Sequence, residues 1–290
     1  HIPMHARPNA LAHAYTAASD DAYGVLYNPA GVAWVGCGEA LASYQYRFGM
    51  DNIAAAFVNK ATREMGFGHA FLYNGDREHL YSEATLATAL AYKFNRTLPF
   101  LRPFSVGAGL KLINTRYRPG GDNLEFSEYD QRGNGIGVGL DLGLRAELSE
   151  RIYYGLVFKD VPSLVFEKNM TRDVQYVEFN PSVLRMGGLF KAGYATELFA
   201  LGEIPLHRDQ PWKMAGAIEH CFFGLLNARI GVRKEILEGF EAPWIVTGGF
   251  GLELNTERVF GRFLTVDGAY EFNQFSPFSN PLSFSFRFGF

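Results

Sequence analysis

The stretch GIGVGLDLGLR, residues 135–145, alternates apolar side chains with small or polar ones. The positions from Ile136 to Leu144 on one face are all branched and apolar, whereas the other face carries four glycines, Asp141 and Arg145. Successive side chains of a β-strand point to opposite faces of the sheet, so this run predicts a strand with one apolar and one polar face. The last segment, LSFSFRFGF at 282–290, shows the same split.

About fourteen segments of this kind follow one another along the chain. They begin near Glu39, Asn52, Met65, Ala84, Phe104, Asn134, Arg151, Ser182, Thr196, Trp212, Leu225, Trp244, Phe263 and Pro281. Most have about 9–11 residues, the length that a tilted strand needs to cross a bilayer. Long connections, such as residues 117–133 and 160–181, alternate with tight ones such as ELSE at 147–150. The sequence therefore predicts an all-β fold, an antiparallel transmembrane β-barrel of about 14 strands.

Composition bears on the class of protein. The net charge of the 290 residues is -3, which gives no basic surface for nucleic acid. No uncharged apolar run approaches the roughly 20 residues of a membrane-spanning helix, so a membrane protein of this sequence must cross with strands. A large soluble β-sandwich or barrel would alternate in the same way. The glycine-rich polar faces and the aromatic apolar faces favour the membrane barrel.

The segment DDAYGVLYNPAGVAWV, residues 20–35, differs from the rest because it reads as helix. We predict that Ser19 caps a helix beginning at Asp20. Pro29 should end that helix at Asn28, which then caps a second short turn with Pro29 in its first position. Such a unit is slim enough to lie inside a wide barrel; the alternative is a helix outside the barrel at its rim.

The longer stretch ARPNALAHAYTAASDDAYGVLYNPAGVAWV, residues 6–35, resembles the N-terminal signature of the FadL/PorV outer-membrane superfamily, with its PorQ-like members. The resemblance implies a fourteen-stranded barrel in the bacterial outer membrane, in contact with membrane lipid. It also implies a plug segment at 1–37 folded inside a barrel at 38–290. The residues that fall on the plug motif are Asn28, Pro29, Ala30 and Gly31.

Two kinds of function are known in that superfamily. FadL-type members pass hydrophobic compounds such as long-chain fatty acids, which implies a barrel with a small hydrophobic molecule in its lumen. PorV-type members are accessory barrels in secretion and surface attachment, which implies a protein partner at the extracellular loops. This chain is shorter than typical transporters of the superfamily, and its outer loops leave little room for a helical ligand-collecting region.

Motifs of enzyme chemistry are missing from the sequence. It contains no GxSxG, no HExxH and no phosphate-binding glycine loop. The two cysteines fit neither a zinc site nor a CxxC redox pair. We therefore predict a protein that is not an enzyme and has no cofactor and no metal.

Charged residues occupy the polar faces of several strands and should point into the lumen if the apolar faces meet lipid. They are Lys111, Asp141, Arg145, Glu219, Arg229, Arg233, Glu253, Asp267, Glu271 and Arg287. Neighbouring strands carry opposite signs, as with Glu219 and Arg229. We predict a salt-bridge network that braces the wall and the plug; the alternative is a selectivity filter for a polar solute.

The two cysteines lead to a second hypothesis. Cys37 ends the plug segment at the periplasmic rim, and Cys221 ends the tenth strand at the same rim. That compartment is oxidising, so a disulfide could pin the plug to the wall if the two Cα atoms lie within about 7 Å.

The third strand, EMGFGHAFLYNG at 64–75, leads to a hypothesis of a lateral gate. Its aromatic face would place His69 at mid-bilayer, where a polar side chain is costly, and glycine inside a strand often marks a bend. The FadL family is similar here, because its third strand kinks inward beside the Asn-Pro-Ala of the plug. We hypothesise that two glycines break the ladder and that three neighbouring side chains line an apolar exit path beside Asn28. These residues are Gly66, Phe67, Gly68, His69 and Phe71. The alternative is an unbroken strand with a hydrogen-bonded His69.

Overall fold

The computed structural model of the protein describes residues 5–77, 80–95, 102–117, 133–170, 173–207, 210–236, 242, 244–256, 262–273 and 280–290. Three short helical elements come first: α1 (Ala6–Ala10), α2 (Gly24–Tyr27) and a 3-10 helix (Pro29–Trp34). The strands are β1 (Glu39–Arg47), β2 (Met50–Lys60), β3 (Met65–Asp76), β4 (Tyr81–Phe94), β5 (Phe104–Tyr117), β6 (Gly133–Ser149), β7 (Ile152–Lys159), β8 (Ser163–Asn169), β9 (Val174–Phe179), β10 (Val183–Lys191), β11 (Thr196–Pro205), β12 (Trp212–Phe222), β13 (Leu226–Ile236), β14 (Trp244–Asn255), β15 (Phe263–Asn273) and β16 (Leu282–Gly289). In the described ranges, no helix has the length and apolar character to span a membrane.

The strands form one closed antiparallel barrel. From β1 to β7 and from β10 to β16 each strand pairs with the next along the chain, β1 pairs with β16, and β7 pairs with β10. The ring contains fourteen strands, β1 to β7 and β10 to β16, while β8 and β9 are two additional strands. The all-β barrel of about 14 strands predicted from the alternation is therefore confirmed.

The prediction of a long loop at residues 160–181 is wrong, because this stretch contains β8 and β9. The lower part of β6, residues 142–149, pairs with β7, and its upper part, residues 133–139, pairs with β8. A strand as long as β6 needs hydrogen-bond partners along its whole length, and β8 supplies them above the end of β7. The other predicted long connection, 117–133, lies outside the described residues except at its ends.

The two faces of the wall differ sharply. Large apolar side chains are exposed on the outside, for example Phe250 at 57% and Phe286 at 53%. The inward positions between them are buried and polar or small, as with Ser283 and Ser285 of β16. A soluble β-sandwich or barrel buries its apolar faces, so this arrangement is the reverse of the soluble alternative.

Residues 5–35, here called the N-terminal segment, lie inside the barrel. The segment packs against β13 to β16 on one side and against β2 to β6 on the other. Tyr15, Tyr23 and Val32 are fully buried in this contact. The wall has glycine where the backbone approaches: a Cβ at Gly66 would overlap the carbonyl of Val32. The alternative of a helix outside the rim is therefore wrong.

The segment is less helical than predicted. The α2 helix begins at Gly24 instead of Asp20, and Ser19 does not cap it, because its hydroxyl donates to the carbonyl of Tyr15 at 2.7 Å. The predicted end at Asn28 is confirmed. Asn28 also caps the 3-10 helix as predicted, because its Oδ1 accepts from the amide of Ala30 at 3.1 Å and Pro29 is the first helical residue.

Candidate functional site in the lumen

One group of contacts between the N-terminal segment and the wall is made by an arginine of α1. The guanidinium of Arg7 donates to both carboxylate oxygens of Glu219 on β12, at 2.8 and 3.1 Å. It also donates to the hydroxyl of Tyr15 at 3.0 Å and to Asp21 at 3.3 Å. Arg229 on β13 binds the same Glu219. Each carboxylate thus has a cation, as buried charges require.

A second group of contacts joins the segment to β1, β15 and β16. Arg287 lies 3.3 Å from Asp21 and 3.4 Å from Glu39. The hydroxyl of Tyr23 lies 2.9 Å from Ser285 and donates to Asp267 at 3.4 Å. These contacts hold the middle of the segment against the strands that close the barrel.

A third group surrounds the Asn-Pro-Ala turn. Arg145 of β6 donates to the carbonyl of Ala17 at 2.8 Å and pairs with Asp20 at 2.9 Å. The Nδ2 of Asn28 donates to the carbonyls of Thr16 and Leu144, at 2.9 and 3.1 Å. Asn28 therefore connects the turn, the chain before it and the wall.

The charged residues predicted for the lumen are buried on the inner face, with one exception. Glu253 is exposed near the lower end of β14, so it does not belong to this buried network. The strand alternation still holds there, but the position lies at the rim, where an inward side chain meets solvent. Among the others, Arg233 pairs with Glu271 at 3.3 Å, and Lys111 pairs with Asp141 at 2.7 Å and with Asp160.

The gate hypothesis is wrong in this structure. β3 pairs with β2 and β4 through Gly66 and Gly68 without interruption. Phe67, His69 and Phe71 lie on the outer face, where His69 Nδ1 is 3.1 Å from the hydroxyl of Thr88. The two glycines face inward and leave room for the N-terminal segment instead of breaking the ladder. Asn28 lies against β6, away from these aromatic side chains.

The disulfide hypothesis is also wrong, because Cys37 and Cys221 are both free. Four strands, β13 to β16, separate β12 from β1 in the ring. At about 4.8 Å between neighbouring strands, the two positions are much farther apart along the wall than the roughly 7 Å that a disulfide can span.

The other end of the barrel, away from Gly38 and Phe290, contains an open cavity of about 300 Å³. The N-terminal segment lies beneath it, because Lys159 of the cavity wall donates to the carbonyl of Leu26 at 3.1 Å. Among the described residues, five carboxylates and three cations line the cavity, which gives these residues a formal charge of -2. They are Glu83, Asp160, Glu167, Glu178 and Glu203, with Lys159, Arg185 and Lys213.

Sequence reasoning missed these residues, although part of the signal was present. Arg185, Glu203 and Lys213 stand opposite one another on β10, β11 and β12, and they form ion pairs. The same alternation that found Glu219 and Arg229 would have found them. Glu167 and Glu178 were hidden because their stretch was predicted to be a loop.

The described residues therefore define a class of protein: a closed antiparallel barrel with an apolar outer face and a charged lumen occupied by its own N-terminal segment. No family model and no curated protein matches the sequence, so the likeness to PorV- and PorQ-type proteins stays a prediction.

Solved structures do match the fold. A FadL homologue from Pseudomonas aeruginosa superposes with a TM-score of 0.68 at 12% identity, over 99% of this chain and 98% of that chain. The monoaromatic hydrocarbon channel CymD has a TM-score of 0.67 at 12% identity, over 99% and 97% of the two chains. The toluene transporter TodX from Pseudomonas putida has a TM-score of 0.56 at 10% identity, over 91% of each chain. At these identities the similarity shows a common fold.

Proposed function

We propose that the protein is a bacterial outer-membrane barrel that passes small hydrophobic molecules and is not an enzyme. The observation that carries the proposal is the outward-facing apolar surface of a closed ring of strands. Side chains such as Leu110, Ile230 and Phe250 are exposed on this surface. In water an apolar belt of this extent would be unfavourable, whereas in lipid it is the required surface. Ring closure also gives the strands hydrogen-bond partners without water.

The substrate class rests on the fold comparison. The similar structures are described as a monoaromatic hydrocarbon channel and a toluene transporter. A common fold at this identity supports small hydrophobic molecules as the class to test first. The lumen itself is charged, so we infer that the apolar part of a substrate does not find its main binding site among the ion pairs described above.

We further propose that residues 1–37 act as a plug of the barrel at 38–290. The motif Asn28 to Gly31 supports this role by fixing the turn of the segment. Asn28 holds three backbone groups, and a Cβ at Gly31 would overlap the carbonyl of Ser19. Because the segment fills the lower lumen, passage requires a local displacement of it.

Whole-cell uptake of radiolabelled toluene tests the function. The protein is expressed in the outer membrane of a Gram-negative host, and insertion is checked by the change of gel migration on boiling. Uptake should rise several-fold over cells with an empty vector, without a rise in uptake of a hydrophilic sugar. Equal uptake in both strains, with correct insertion, would contradict the proposal.

A second candidate function is a barrel that docks a protein partner. The observation in its favour is the hairpin of β8 and β9, whose side chains Phe166, Val177 and Phe179 are exposed beyond the fourteen-stranded ring. Substituting these three residues with serine should leave toluene uptake unchanged if the hairpin serves only docking. A loss of uptake in the correctly inserted variant would favour the transport function alone.

A further inference from the structure

The outer face of the wall changes from apolar to polar along one row of residues, near the upper ends of β5, β6 and β8. On β6 the outward positions are apolar from Leu148 to Ile136, and the next outward position is Asn134. Arg116 of β5 and Lys168 of β8 stand directly opposite Asn134, one on each side. These three residues, Arg116, Asn134 and Lys168, are here called the polar row. They form the upper boundary of the apolar surface on this side of the barrel.

A groove of about 370 Å³ lies on the outer face at this boundary. Its apolar lining is formed by Ile136, Phe166 and Val177, which stand side by side on β6, β8 and β9 and are all exposed. Lys168 of the polar row also lines the groove. Glu167 borders it too, but its side chain is buried on the lumen side. The groove therefore combines an apolar floor with a cation at its upper edge.

The position of the groove favours a lipid as its occupant. Ile136 continues the exposed apolar side chains of Leu112 and Val138, which stand side by side just below it on β5 and β6. The groove thus opens onto the part of the wall that acyl chains contact in a membrane. The polar row lies above the groove and does not separate it from this apolar surface. A docking site for a protein outside the membrane would lie beyond that boundary.

The charges of the polar row favour a phosphate group on the lipid. Arg116 and Lys168 are two strand spacings apart, about 10 Å, a distance that two long side chains can close around one phosphate. Asp173 lies 3.2 Å from Lys168, but the two side chains are 86% and 46% exposed, so this ion pair is weak. Arginine and lysine bind phosphate oxygens through charge-assisted hydrogen bonds. Basic residues at a membrane boundary recognise anionic headgroups in this way.

We propose that the groove and the polar row bind a phosphate-bearing lipid of the outer leaflet. The phosphate contacts Arg116 and Lys168. One acyl chain lies along Ile136, Phe166 and Val177. The proposal rests on the proposed function only in placing the barrel in a membrane. Lipid binding and toluene uptake are measured separately, so either can fail without the other.

Native mass spectrometry of the detergent-solubilised full chain with dioleoyl phosphatidic acid tests the proposal. The matched neutral probe is dioleoylglycerol, which has the same acyl chains. Phosphatidic acid should bind at least about tenfold more tightly, because only its phosphate contacts the two cations. Inorganic phosphate in tenfold molar excess should not displace it, because the free anion lacks the acyl chains. Equal affinities of the two lipids would overturn the proposal, and displacement by inorganic phosphate would overturn it by assigning the site to a free anion.

Two charge variants test the polar row. Arg116→Gln with Lys168→Gln should weaken the binding of phosphatidic acid about tenfold or more and leave that of dioleoylglycerol unchanged. The matched control, Arg77→Gln with Lys234→Gln, also removes two cations, one next to β3 and one on β13, and should leave both affinities unchanged. All variants are checked for the wild-type gel shift on boiling. An unchanged affinity in the first folded variant would overturn the proposal, as would an equal loss in the control.

A third variant tests the apolar part of the site. Phe166→Ser with Val177→Ser keeps both cations, and it should weaken the binding of both lipids by a similar factor, because the acyl chain loses its contacts. Unchanged binding of phosphatidic acid in this folded variant would overturn the proposal and leave the groove to a protein partner.

Discussion

Arg7 and Glu219 are joined by two hydrogen bonds, of 2.8 and 3.1 Å, although 212 positions separate them in the sequence. One residue lies in the first helix and the other on the barrel wall, so the pair fixes the position of the N-terminal segment. Breaking such a buried pair leaves a charge without its partner, which is more costly than losing an exposed pair.

Replacing Arg7 with methionine should therefore destabilise the protein. In this variant Glu219 still has Arg229 as an ion-pair partner, and Asp21 still has Arg287. We therefore expect the free energy of unfolding to fall by about 3 kcal/mol, near the lower end of the range for a broken buried pair. Urea unfolding in lipid vesicles measures the free energy.

The matched control is Arg77→Met. Arg77 pairs with Asp51 at 3.2 Å, but its side chain is 68% exposed, so we expect no measurable loss of stability. Equal losses of unfolding free energy in the two variants would show that the buried Arg7 contact stabilises the protein no more than the exposed Arg77 contact does.

Gly66→Val tests how the wall holds the segment. A Cβ at this position overlaps the carbonyl of Val32, so the segment must shift, at a cost of about 1–3 kcal/mol. We expect faster cleavage of the segment by added protease and higher toluene uptake. Gly188→Val is the control, because no atom lies within 4 Å of its added Cβ. A slower uptake in Gly66→Val would instead agree with a gate in β3.

Acid should loosen the segment. Burial lowers the pKa of His5 and, together with nearby arginines, that of His13. Both histidines are neutral when the segment is docked and take up protons more readily when it is released. The contribution of the two neutral histidines to the stability of the docked segment is therefore fully present above the ordinary histidine pKa of about 6.5. It is lost as the pH falls below that value.

Protease protection of the segment between pH 7.5 and 4.5 measures this effect. The raised pKa of Asp21, caused by burial, acts in the opposite direction, so the comparison must be made between variants. His5→Gln with His13→Gln should flatten the acid dependence. An unchanged pH profile in this double variant would mean that other titratable groups cause the acid dependence.

The sequence predicted the barrel well because each strand carries its own alternation of apolar with small or polar residues, and this pattern repeats along the chain. From Ile136 to Leu144, successive side chains face the outside and the lumen of the barrel in turn, and apolar residues alternate with small or polar ones accordingly. Lumen charges such as Glu219 and Arg229 follow from the same rule. What the residues could not reveal is which lumen positions meet the N-terminal segment.

Gly66 illustrates that limit. A glycine in a strand can mark a bend or a close approach of another backbone, and only the position of Val32 decides between them. Residues 160–181 were predicted to be a long connection, although the upper part of β6 required a paired strand there.

The most direct test of the central claim is a reversible cross-link between the segment and the wall. Asn9 and Ser283 are joined by a hydrogen bond of 2.8 Å, so cysteines at both positions face each other. The variant Asn9→Cys, Ser283→Cys is made in a background with Cys37→Ala and Cys221→Ala, and toluene uptake is measured with and without reductant. If the segment moves to open the barrel, as we propose, uptake should fall severalfold in the oxidised protein and return on reduction. The background protein should not respond to reductant. Equal uptake in the oxidised and reduced states of a fully cross-linked protein would contradict the account.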